Sequence, residues 1–164
     1  MFKRTQDALD GQNSVRRQHY IPAKIHAFAV GQQLAGAEQE VTAGRGRGNL
    51  PTLADIYYTL IVEGLELVRT GQAVPAFVEV GRPVGTRAVQ IKFPTGKGKL
   101  NEKLERLKKR AEKGEFEIKP YREISLISVA ITLMQLAIDE RRKRLVEKIH
   151  AEIHQEAEAE IESN

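Results

Sequence analysis

The chain has no cysteine among its 164 residues. Disulfides, thiolate nucleophiles and cysteine-held metals are thereby excluded. It has no tryptophan, and aromatic residues make up only 5% of it. The core must therefore be aliphatic and rich in alanine. Long hydrophobic runs are missing as well. The most apolar stretch, around Ile124–Ile138, is interrupted by Ser125, Ser128, Thr132 and Gln135. It is too short to cross a bilayer. The opening Met1-Phe2-Lys3-Arg4 leads into no apolar segment of the secretory kind. A soluble, cytoplasmic protein is the expectation. Catalytic signatures are absent too: there is no Gly-x-Ser-x-Gly, and no Ser or Thr is linked to a His and an Asp. No catalytic residue, metal or cofactor is assigned, and the protein is not expected to be an enzyme.

Charge is what the chain does have. Charged residues form 29% of it, and 26 Lys and Arg against 22 Asp and Glu leave a net +4. The isoelectric point is about 9.4. A basic balance of this kind suggests an anionic partner.

The length fits one domain, residues 1–164. Residues 1–20 are polar and broken by Gly11, Asn13 and Ser14, which reads as a loose arm. A helix is expected from Pro22 to about Leu34. The glycine-rich run 35–51 reads as a mobile loop. Thr52 and Asp55 form the capping signature of the next helix, and Gly71 closes it. In residues 74–93, β-branched residues and the punctuation of Gly81, Pro83 and Gly85 suggest a short hairpin of strands 76–80 and 87–93. An irregular insertion competes with that reading. Lys99–Lys113 is a helix stopped by Gly114, and one long helix is expected from about Pro120 onward. Residues 155–164 are an acidic tail expected to fray. The fold class is mostly α: a helical bundle of four to five helices with a possible short β-hairpin at about 76–93.

The run Pro94–Glu115 superficially resembles a phosphate-binding loop entering a helix. A Walker A loop fails here, because Leu100 stands where a hydroxyl must reach Mg²⁺ and Phe93 where the first glycine belongs. At about 100° per residue, Leu100, Leu104, Leu107 and Ala111 share one stripe. Lys99, Lys103, Arg106, Arg110 and Lys113 form a second stripe beside it, with Lys97 and Lys109 close by. Glu102→Arg106 and Glu105→Lys109 are favourable i,i+4 pairs. Segment 92–119 holds ten Lys and Arg against five Glu, so such pairs cannot neutralise it. Cations recurring every turn match the spacing of phosphates along a strand, which points to sequence-independent backbone contact. Backbone N–H groups beside Gly96 and Gly98 are further candidates for a phosphate. A solvated surface helix is the plain alternative.

Arg45 and Arg47, in Gly44–Gly48, sit on a chain with little stiffness and could follow a phosphate backbone. Arg16, Arg17, His19 and Tyr20 could do the same. Arg141, Arg142, Lys143 and Arg144 surround the long helix, so some of them must face other helices or a partner. His150 and His154 are four apart, but the motif is not His-Glu-x-x-His, and Glu147-x-x-His150 has no second copy. No metal site is assigned.

A small, basic, cysteine-free helical bundle with a glycine–arginine loop and a lysine-rich helix resembles the small subunits of class 1 CRISPR effector complexes. Among these it is most similar to the type I-D form, whose small subunit matches the C-terminal helical part of the large subunit. The helix Leu53–Arg69, the segment Lys97–Lys113 and the helix Ile124–Leu145 carry the resemblance. It implies several copies in a head-to-tail row beside other subunits. Their basic faces would steady the guide RNA–target DNA heteroduplex and the displaced strand, while base pairing reads sequence. It also implies a non-catalytic role. The positive Arg141–Arg144 segment and the acidic tail suit such heterologous contacts, and the isolated protein is then expected to be monomeric or weakly associating. Two alternatives stay open: a plasmid or phage helical DNA-binding regulator acting as a dimer, and a scaffold that binds only proteins.

Overall fold

The computed structural model describes residues 14–44, 50–78, 86–116, 118–119 and 124–164. It is mostly helical, with a small antiparallel sheet of two strands. Strand β1 (Ser14–Pro22) leads into helix α1 (Ala23–Thr42), and helix α2 (Leu53–Arg69) follows. Then come strand β2 (Phe77–Val78), strand β3 (Thr86–Pro94) and helix α3 (Leu100–Glu112). Strand β4 (Ile118–Lys119) precedes the long helix α4 (Leu126–Ser163).

Local chemistry sets the helix ends. Thr52 starts α2 with a reciprocal box: the Asp55 N–H donates to Thr52 Oγ1 at 3.2 Å, and the Thr52 N–H donates to Asp55 Oδ2 at 3.0 Å. Gly71, at φ 73°, follows the C-cap. Helix α4 starts later than Pro120, because Ser125 is extended and its side chain accepts the Ser128 N–H. Helix α1 continues through residues 35–42, where a loop is expected from the glycines. Gly31 and Gly36 lie within it at helical angles, and the turn to positive φ waits until Gly44. Isolated glycines weaken a helix by only about 1 kcal/mol each, a cost that the good helix formers around them, Ala35, Ala37, Glu38, Gln39 and Glu40, offset.

The sheet differs from the expected hairpin in its partner. β3 pairs antiparallel with β1, from Ser14 opposite Pro94 to Pro22 opposite Thr86. β2 pairs in parallel with β4 instead, Phe77 opposite Ile118. Residues 14–20 are thus a paired strand, not a loose arm. The expected strand 87–93 is present, and its alternation buries Val89, Ile91 and Phe93. Residues 79–85, the rest of the expected hairpin, lie outside the described residues, as do 1–13 of the arm.

The core is aliphatic, as the composition requires. Ile21 and Ile25 meet Leu60 and Ile61 of α2, Leu104 of α3, and Val129, Leu133 and Met134 of α4 in one buried cluster. Where α2 crosses α4, Gly64 faces the backbone of Leu133 so closely that a Cβ would lie 2.0 Å from its carbonyl oxygen. Buried Tyr57 shares a 2.8 Å hydrogen bond with His26 Nδ1. Burial pushes its hydroxyl from 10.0 up to about 12. A raised acid opposes ionisation in the folded state only. Stability is therefore fully present below the unfolded value near pH 10 and is lost as pH rises towards 12. The loss should reach about 2–3 kcal/mol. Urea unfolding of wild type and Tyr57→Phe between pH 8 and 12 checks this: the wild type should lose that extra increment and the variant should not.

Candidate nucleic-acid interface

Helix α3 is positioned by its apolar stripe. Leu100, Leu104, Leu107 and Ala111 are all buried. The second stripe consequently faces out, and Lys99, Lys103, Arg106, Arg110 and Lys113 are exposed together with Lys97 and Lys109. Gly96 and Gly98 adopt positive φ in the turn that leads into the helix.

The sequence does not reveal what lies across from this stripe. The last turn of α2 runs beside α3, and a groove of about 360 Å³ opens between them. Val62, Leu65, Val68 and Leu107 give it an apolar floor. Arg69 on one wall and Lys103, Arg106 and Arg110 on the other give it a cationic rim, with Glu66 as the carboxylate among them. Arg69 donates through Nε to Glu66 Oε2 at 2.8 Å. This bond holds the Glu66 carboxyl below its usual range, and the charges of Arg69 and Lys103 add to the effect. Glu66 in turn raises Arg69.

Not every cation is equally available. Arg106 pairs with Glu102, and Arg110 donates to Glu115 at 2.7 Å while its guanidinium lies 5.2 Å from the Phe116 ring centre. Lys108 reaches Glu112 at 3.8 Å. Among the described residues, Lys97, Lys99, Lys103, Lys109 and Lys113 form no ion pair, so the Glu105–Lys109 pair expected from spacing is not made. Exposed pairs of this kind contribute little, about 0–1 kcal/mol, and exchange readily for a phosphate. The turn amides are less free than the sequence suggests. The Gly98 N–H donates to Glu102 at 3.1 Å, and the Lys99 N–H donates to the Gly96 carbonyl. Negative charge thus already sits where a phosphate was expected.

The remaining candidates separate. Arg141 is tied into the fold: its Nε and Nη2 donate to Glu63 at 2.8 and 2.5 Å, and Nη1 reaches Gln32 at 3.3 Å. It links α4 to α2 and α1. Arg141→Ala should therefore lower stability by about 1 kcal/mol and leave the affinity for nucleic acid within about twofold of wild type. Urea unfolding and equilibrium binding on the same samples check both halves. Arg142 lies 6.0 Å from the Phe28 ring centre. Arg16 and Arg17 belong to β1, away from α3 in the chain and paired with β3 through their backbone. Arg45 and Arg47 lie outside the described residues. His150 and His154 sit on the exposed half of α4, and among the described residues no three potential ligands gather for a metal. Among the described residues, no helix is long and apolar enough to cross a membrane.

No family model matches this chain, and no curated protein or solved structure matches it either.

Proposed function

We propose that this is a non-catalytic, cytoplasmic nucleic-acid-binding protein that grips phosphate backbones along α3 without reading sequence. The observation that carries the reading is the groove rim, where Arg69 faces Lys103, Arg106 and Arg110 across an apolar floor. Four cations at one groove, continued by Lys97, Lys99, Lys109 and Lys113, which form no ion pair among the described residues, outnumber the described carboxylates that neighbour them. Phosphate contacts position a protein, and their number sets the salt dependence of binding.

The resemblance to small subunits of CRISPR effector complexes supplies one setting, antiviral defence. Copies of the chain would lie along a guide RNA–target DNA heteroduplex and its displaced strand beside other subunits. The regulator reading is favoured by a different observation. The second half of α4 presents exposed apolar side chains, Leu145, Val146, Ile149, Ile153 and Ile161, on which none of the described residues packs, as a dimerising protein would.

Binding of labelled single-stranded, duplex and hybrid oligonucleotides, titrated against salt, tests the shared proposal. The logarithm of affinity should fall linearly with the logarithm of salt and change little with base sequence. A strong preference for one sequence, or affinity indifferent to salt, would overturn it.

A further inference from the structure

Helix α4 is about 57 Å long at 1.5 Å per residue, but only about its first third is buried. Burial ends at Ala137 and Ile138, and every residue from Arg142 to Asn164 is exposed. The exposed half is nevertheless patterned. Val146, Ile149, Ile153 and Ala157 are spaced 3, 4 and 4 apart. At about 100° per residue they fall within an arc of about 80°. Ile149 is 45% and Ile153 57% exposed. A stripe of this kind on a free helix is the seam of a helix pair.

Charge selects the partner and its direction. Arg142 and Glu160 are 18 residues apart, which is about five full turns. They therefore lie on the same line as the apolar stripe, one at each end of it. In a parallel pair of copies, Arg142 would meet Arg142 and Glu160 would meet Glu160. In an antiparallel pair centred on Ala151, each Arg142 meets the other copy's Glu160, and Ile149 packs against Ile153. The wider charge follows the same sense, with Lys143, Arg144 and Lys148 towards one end and Glu156, Glu158 and Glu162 towards the other.

We infer that two copies of this chain associate through an antiparallel pairing of the exposed halves of α4, with the two-fold axis at Ala151. The contact is isologous and closes on itself, so it differs from a head-to-tail row and weighs towards the dimeric setting. It goes beyond nucleic-acid binding, and its test needs no nucleic acid.

The protein lacks cysteine, so Ser163→Cys carries a single spin label. The antiparallel pair places two such labels about 36 Å apart along the axis. A parallel pair would hold them within about 20 Å. Sedimentation should give twice the 18.4 kDa of one chain. Ile149→Glu combined with Ile153→Glu, at positions already exposed, should give the single-chain mass. Glu160→Arg should weaken association at least tenfold, and adding Arg142→Glu should restore it. A single-chain mass at every concentration, a short label distance, or a dimer that survives the Ile149 and Ile153 changes would overturn the inference.

Discussion

Gly64→Ala is expected to destabilise the protein by about 3 kcal/mol, or roughly 6–12 °C in Tm for a chain of this size. The added Cβ would sit 2.0 Å from the Leu133 carbonyl oxygen, 2.6 Å from its carbon and 2.8 Å from its Cα. These are backbone atoms of a helix and cannot rotate away. α2 and α4 must move apart, and the cluster that joins Leu60 and Ile61 to Val129 and Met134 loosens with them. Alanine's better helix propensity offsets only about 1 kcal/mol of this. Gly31→Ala is the matched control, since a Cβ there meets nothing within 4 Å and its φ is not in the positive range. It should be neutral or stabilising by up to about 1 kcal/mol. Thermal and urea unfolding of both variants measure the difference. Equal stabilities would mean that the two helices do not cross at Gly64.

What the sequence reveals here is local. Thr52 and Asp55 carry the start of α2 in four residues, and the 4, 3, 4 spacing of Leu100, Leu104, Leu107 and Ala111 carries the orientation of α3. Non-local pairing is where local pattern stops. The polar run Arg16-Arg17-Gln18-His19 hides the alternation of β1, and its partner lies some seventy residues on, so nothing nearby announces a strand. Phe77 likewise finds Ile118 rather than the adjacent β3. The basic stripe of α3 is legible, but the groove is not. Arg69 reads as an ordinary helix end until the packing of α2 and α3 on α4 places it opposite Lys103. Arg141 shows the reverse. Its position in a basic run suggests an anionic ligand, while its bonds to Glu63 and Gln32 give it a task within the fold.

Replacing Lys103, Arg106 and Arg110 together by alanine should remove most of one wall of the groove while leaving α3 helical. All three are exposed, and surface changes of this type usually stay within about 0.5 kcal/mol each. Arg110 also stacks on Phe116, so its share of the stability loss should be the largest. The effect on binding should be far greater. Each lost phosphate contact removes the release of nearly one counterion, and three of them should weaken binding roughly a hundredfold in dilute salt. Far-ultraviolet circular dichroism should be unchanged.

The salt dependence of binding in this triple variant tests whether α3 is the surface that grips nucleic acid. Affinity for a short mixed-sequence duplex is measured across a range of salt for wild type and variant, and the logarithms are plotted against each other. If α3 grips the backbone, the variant's slope should be shallower by about 2–3 units, at roughly 0.9 per phosphate contact. A variant that keeps the wild-type slope would place the nucleic acid elsewhere on the molecule and contradict the assignment of this face.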